Sequence, residues 1–150
     1  MKRRNFVKVG ALGSAALITN SCSNTSSSNN EQPILLTKSR EIKVISTWVS
    51  GIDANKEAFQ ILKSNGSAIN AIEKGLNITE SDPKNTSVGL GGMPDANGLV
   101  TLDASIMDHN YNCGSVTYLQ NIEHPISVAR KVMEETPHVM LSGKGAYEFA

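Results

Sequence analysis

Two cysteines are all this chain has, and they are too few and too ill-placed for a disulfide framework. The three histidines, His109, His124 and His138, share no metal-ligand spacing with one another or with the cysteines. No Gly-x-Ser-x-Gly stretch exists, so an esterase-type serine triad lacks its nucleophile elbow. Ser87-Val88-Gly89-Leu90-Gly91-Gly92 is glycine-rich but lacks the Lys-Ser/Thr of a phosphate loop, and no helix clearly starts behind it, which reads as a backbone turn. A positive surplus is missing too. Four of the 14 basic residues (Lys2, Arg3, Arg4 and Lys8) precede residue 10, leaving 10 bases against 14 acids and a net of about −4. That balance argues against a nucleic-acid surface. These absences exclude metal catalysis and nucleotide binding as first readings, and no cofactor is expected.

What is present begins with an address. Residues 1–22 combine the basic start with the apolar run Val9 to Ile18, which is too short to span a bilayer as a mature helix. Lys2-Arg3-Arg4-Asn5-Phe6-Val7-Lys8 resembles a twin-arginine export signal, with an ordinary Sec signal as the alternative. Either would send the chain out of a bacterial cytoplasm, to the periplasm or to a lipid anchor on the periplasmic side of the membrane. Cys22 closes the imperfect lipobox Ile18-Thr19-Asn20-Ser21-Cys22. It is either lipidated, holding the protein at a membrane surface without a transmembrane helix, or discarded with the signal. Residues 23–40 open with Ser23 to Asn30, which has nothing apolar to bury, and are expected to form a disordered tether.

The folded part is expected over residues 41–150. Ile42, Val44 and Ile45 suggest a strand ending at Trp48. Asp53 or Asn55 would cap a helix carrying Ala58, Ile61 and Leu62, closed by Gly66. Ser67 would cap a second helix in which Ala68, Ala71, Ile72, Gly75 and Leu76 share one face. Asn97-Gly98 between two apolar runs predicts a hairpin turn leading into a strand over Leu99 to Asp103. A further strand is expected from Cys113 to Leu119, with Cys113 as a small buried side chain. Pro125 fits the first turn of a helix running to Glu135, His138 to Leu141 reads as another strand, and Lys144 to Ala150 opens a helical pattern. An isolated helix of that length is unstable in water, which leads us to expect truncation within an element. Among candidate site residues, Asp103 and Asp108 read better as turn-bonding aspartates than as an acid/base pair, and the single tryptophan, Trp48, reads as packing or as the wall of a site.

Five ordered blocks then carry a resemblance: Ser46-Thr47-Trp48, Ala68 to Gly75, Ser87 to Gly92, Val100 to Asp108, and His124 to Leu141. Over residues 46–150 the chain resembles the aspartylglucosaminidases (glycosylasparaginases), relatives of the isoaspartyl peptidase and plant-type asparaginase branch. That resemblance implies an N-terminal nucleophile hydrolase of α/β (α+β) class, of which this chain would be the N-terminal half of an αββα sandwich. It implies a precursor that cuts its own backbone before a threonine. The freed threonine hydroxyl attacks the side-chain amide carbon of (N-acetylglucosaminyl-)asparagine, with its own α-amine as base, and the oxyanion is held by backbone and side-chain donors. The products would be aspartate and either ammonia or a glycosyl amine.

Ser46-Thr47-Trp48 stands where the peptidase branch has a His-Gly-Gly type motif, which favours the glycosylasparaginase branch and gives Trp48 a substrate-binding role by resemblance. The family's aromatic two residues on is Ser50 here. The His-Asp-Thr-Ile-Gly segment that holds the nucleophile is not in this sequence, so no catalytic residue is assigned and the 150-residue chain alone is expected to be inactive. The partners implied are a small asparagine derivative and the β-chain of the same precursor, in an αβ assembly that could pair again. Two other readings stay open: a fragment of an isoaspartyl peptidase/L-asparaginase, or a non-catalytic lipoprotein module that keeps the α-part.

Overall fold

The computed structural model describes residues 41–150. The expected export signal, the Cys22 lipobox and the expected tether lie outside those residues. The described part has mixed α/β architecture. Its elements in chain order are α1 (Gly51–Lys63), α2 (Ala68–Glu80), a 3-10 turn (Gly89–Gly91), β1 (Leu102–Met107), β2 (Cys113–Leu119), α3 (Pro125–Glu135), β3 (Leu141–Ser142) and α4 (Gly143–Phe149). The three strands form one sheet in the order β1-β2-β3, antiparallel between the first pair and parallel between the second. Among the described residues no helix is long and apolar enough to cross a membrane.

The core lies between this sheet and α3. Ile106 and Val116 from the strands meet Ile126, Val128, Ala129 and Val132 of α3, and Leu119 is 0% exposed. The strand period of two selects the buried set, with Leu102 and Ile106 facing the core and Asp103, Ser105 and Met107 exposed. The same alternation corrects the expectation for Cys113. It stands in β2 as expected, but on the face opposite Val116, and it is exposed.

A bulge interrupts the β1–β2 ladder between Leu102/Leu119 and Ala104/Val116, where β2 carries one residue more than β1. Tyr118 takes φ +53 there. Asp103 pins the bulge by accepting from the Thr117 hydroxyl at 2.7 Å and from the Tyr118 N–H at 2.8 Å. The extra residue resets the alternation so that Val116 and Leu119 both reach the core.

The two first helices pack through small residues. Ala54, Ala58 and Ala71 are buried, and a Cβ on Gly75 would lie 2.7 Å from the Ala54 carbonyl. Only glycine lets the two backbones approach so closely. The α2 cap forms as expected, the Ser67 hydroxyl accepting from the Asn70 N–H at 3.2 Å. The α1 caps do not. Its N-cap is Ser50, without a side-chain bond, while Asp53 pairs with Lys56 and Asn55 donates to the Ser46 hydroxyl. At the other end Asn65, at φ +63, takes the left-handed seat expected of Gly66. The Asn65 N–H then reaches the Leu62 carbonyl at 3.1 Å and the Gly66 N–H the Ile61 carbonyl at 2.8 Å, the Schellman pattern.

Three expected strands also change. Residues 42–48 form no strand, because among the described residues no neighbouring strand supplies a ladder for their N–H and C=O groups. The turn at Asn97-Gly98 forms, but no paired strands flank it, and β1 begins at Leu102 rather than Leu99. The strand expected from His138 shrinks to Leu141–Ser142. The helices fare better. α3 spans Pro125–Glu135, and α4 covers Gly143–Phe149 with Ala146 fully buried against the core.

Candidate functional site

Trp48 sits in the bend ahead of α1, and its side chain is 78% exposed. Its carbonyl accepts from the Gly51 N–H at 3.0 Å, which turns the chain into the helix. Ser46, two residues earlier, is fixed by Asn55 Nδ2 at 2.9 Å. Ile45 and Val49 are exposed beside it, so the first family block presents an open apolar bend. A shallow concavity of about 590 Å³ runs between residues 42–45 and α1, bordered by Ile45, Ile52, Asn55 and Phe59. Trp48 is not part of its lining. A second concavity, of about 260 Å³, is lined by Tyr118, Gln120, Asn121, Gly143, Lys144 and Tyr147.

The glycine-rich block has a packing role. Gly89 takes φ +62, and a Cβ there would collide with the carbonyl of Glu80. The block therefore seats on the last turn of α2 and forms the 3-10 turn Gly89–Gly91. Asp108 likewise makes turn bonds, accepting from the Asn110 and Asn112 N–H groups and from Asn112 Nδ2. The Asn112 amide, first among these, holds its carboxyl below the ordinary range. Asp103 serves the bulge. The two aspartates are both engaged locally, and the acid/base reading finds no free carboxylate in either.

A polar seam between α2 and α3 has no counterpart in the sequence reading. Arg130 Nη1 reaches Glu73 Oε2 at 2.6 Å and Asn70 Oδ1 at 2.7 Å, and its Nε reaches Glu134 at 2.8 Å. The Ser127 hydroxyl donates to Glu73 Oε1 at 2.6 Å and accepts from Asn77 Nδ2 at 3.3 Å. Glu80, only 5% exposed, accepts the Ile126 N–H at 3.0 Å and lies 3.3 Å from both Asn77 Nδ2 and His124 Nδ1. His124 is the N-cap of α3 but makes no capping bond of its own, so Glu80 satisfies that orphan donor from another helix. His124 is thus a partner in the seam.

The two glutamates of the seam shift in opposite directions. Burial pushes Glu80 up, and the Ile126 N–H, Asn77 and His124 only partly counter it. Burial pushes Glu73 up as well, but the Ser127 hydroxyl and the Arg130 guanidinium outweigh it and hold its carboxyl below the usual value. The signal that could have found this seam is a stripe. Asn70, Glu73, Asn77 and Glu80 recur at i, i+3, i+7 and i+10 along α2. His124, Ser127 and Arg130 make the answering row on α3. Among the described residues no cluster of three or more His, Cys, Asp or Glu could hold a metal ion.

Residues 36–150 match the family described as Asparaginase. The chain is 49% identical over 148 residues to an N(4)-(beta-N-acetylglucosaminyl)-L-asparaginase of Elizabethkingia miricola, covering 99% of this chain and 43% of that protein. It is 44% identical over 108 residues to the rat protein of the same name, covering 71% of this chain and 31% of the relative. It is 42% identical over 98 residues to the mouse isoaspartyl peptidase/L-asparaginase, covering 65% of this chain and 30% of the relative. The chain therefore spans less than half the length of each of these relatives. With a family match that covers the whole described fold, the chain belongs to the asparaginase family.

Proposed function

We propose that this chain contributes the α-part of an exported amidohydrolase that cleaves the side-chain amide of N-acetylglucosaminyl-asparagine to aspartate. The observation that carries this reading is the 49% identity, over 99% of the chain, to a protein named for that activity. In this reading the nucleophile is a threonine outside the 150 residues, released by self-cleavage of a precursor, and its chain supplies the remainder of an αββα sandwich. The three-stranded sheet with helices on one face is compatible with one half of such a sandwich. Trp48 would supply an apolar wall that orients the substrate, since an indole neither takes nor gives a proton in acid–base catalysis. Its exposure, beside the exposed Ile45 and Val49, supports a role that is not core packing. Export follows from the twin-arginine-like start, and lipidation of Cys22 would hold the enzyme on the periplasmic side. The assembly would be αβ, and could pair again.

A second reading has its own support. The mouse relative at 42% identity is named isoaspartyl peptidase/L-asparaginase, so β-aspartyl peptides and free asparagine are the competing substrates. One assay separates the readings. The chain alone is expected to release no aspartate from N-acetylglucosaminyl-asparagine. The complete protein that contains it is expected to prefer that substrate over asparagine and over a β-aspartyl dipeptide. Trp48→Ala in that protein is expected to lower kcat/KM about tenfold, the order of a lost apolar pocket contact. Turnover by the 150 residues alone would remove the external nucleophile, and preference for the dipeptide would select the second reading.

A further inference from the structure

Two asparagines among the described residues precede a glycine, Asn65-Gly66 and Asn97-Gly98, and the fold treats the two dipeptides differently. In an Asn-Gly pair the glycine nitrogen, after losing its proton to hydroxide, can attack the asparagine Cγ. A new N–Cγ bond closes a succinimide ring, the Cγ–Nδ2 bond breaks, and Nδ2 leaves as ammonia with a proton from water. Water then adds to one of the ring carbonyls and opens it to aspartate or isoaspartate. No electrons change hands, and water is the only co-reactant. The step needs a glycine nitrogen free of its hydrogen bond and space for the side chain to swing over it.

Asn65-Gly66 offers neither. The Gly66 N–H is held by the Ile61 carbonyl at 2.8 Å as part of the α1 cap. Gly66 is half-buried, and the Ile61 side chain closes over it. Freeing that nitrogen means fraying the last turn of α1.

Asn97-Gly98 sits in an exposed surface turn. The Gly98 N–H is bonded to the Asp95 carbonyl at 3.0 Å, but no described residue lies within 4 Å of the position a Gly98 Cβ would take. The turn is otherwise held by the Asp95 carboxylate, which accepts the Asn97 and Leu99 N–H groups at 2.8 and 3.0 Å. Opening the Gly98 bond moves no helix and no core residue, so it draws on the cheapest class of local opening. We propose that Asn97 is a site of spontaneous deamidation, whereas the α1 cap protects Asn65 in the same dipeptide. The product would add a negative charge beside Asp95 and, as isoaspartate, an extra backbone methylene in the turn that precedes β1.

The test is a peptide map of the full chain after incubation at mildly alkaline pH, with isoaspartate scored separately from aspartate. Conversion at Asn97 is expected to outpace conversion at Asn65 by about tenfold or more, the ratio set by their difference in local opening. In denaturant the two rates are expected to converge, and Asn97→Gln should remove the faster signal. Equal or faster conversion at Asn65 in the folded chain overturns the proposal. So does a difference that persists unchanged in denaturant, because the neighbouring sequence rather than the fold would then be its cause.

Discussion

Between α2 and α3, Glu73, Glu80, Ser127 and Arg130 each have at least one partner from the opposite helix. Ahead of α1, Ile45, Trp48 and Val49 are exposed, and among the described residues nothing buries them. The first region holds polar groups inside and the second apolar groups outside, the reverse of what hydropathy alone would assign. The difference is one of partners. A buried carboxylate is tolerable when donors from a neighbouring helix face it, and an apolar strand-like run stays irregular when no ladder faces it. The first region is thus a structural joint, and the second is exposed apolar surface.

That contrast can be broken by substitution, and the largest effect is expected in the core beneath α3. Leu119→Ala should destabilise the chain by about 2–5 kcal/mol, read from denaturant midpoints, because it removes a fully buried side chain at the bulge. A loss below that range would mean that the site collapses around the gap.

A smaller loss is expected in the seam. Glu80→Ala strips the Ile126 N–H and Asn77 of a buried acceptor, at about 1–3 kcal/mol. Glu80 also has a pH signature. Its folded pKa is raised above 4.5, so the folded chain holds that proton more tightly than the unfolded one. The resulting stability is fully present below 4.5 and is lost as pH rises through the folded value. Glu73, with a lowered folded value, runs the other way, contributing above 4.5 and losing its contribution as pH falls. Glu80→Gln should abolish the loss on the rising side and leave the acid-side loss intact, seen in midpoints across that window. An unchanged rising-side loss would shift its origin away from Glu80.

The smallest effect is expected at the open bend. Trp48→Ala should change stability by less than about 0.5 kcal/mol, the range of surface substitutions. A large loss would show that the tryptophan is packed, and the contrast between joint and open apolar bend would then fail.

Much of the fold was legible where local chemistry fixes it. Ser67 caps α2 because its hydroxyl needs only the N–H three residues on, and Pro125 starts α3 because its missing N–H costs nothing there. β2 was legible as Cys113 to Leu119, but the sidedness of Cys113 was not, because the face of a strand is set by register with β1. The strand expected at residues 42–48 failed for the same kind of reason, since ladder partners are not written in the strand itself. Of the candidate site, Trp48 was picked out as the sole tryptophan, while Glu80 and His124 were missed. Each lies in a polar stripe that its own sequence shows, but their pairing joins residues 44 apart, and neither stripe names the other as its partner.

The sequence by itself determined the family, the cap of α2, the start of α3 at Pro125, the turn at Asn97 and the position of Trp48 ahead of the first helix. Each of these rests on residues within a few positions of one another or on matched blocks. Only the tertiary structure decided which face of each strand is buried, that Asp103 pins a bulge, that Glu80 caps a helix it does not belong to, and that one Asn-Gly pair is held in a helix cap while the other lies open. Those outcomes depend on groups brought together from distant parts of the chain, where desolvation and the supply of hydrogen-bond partners outweigh local preference.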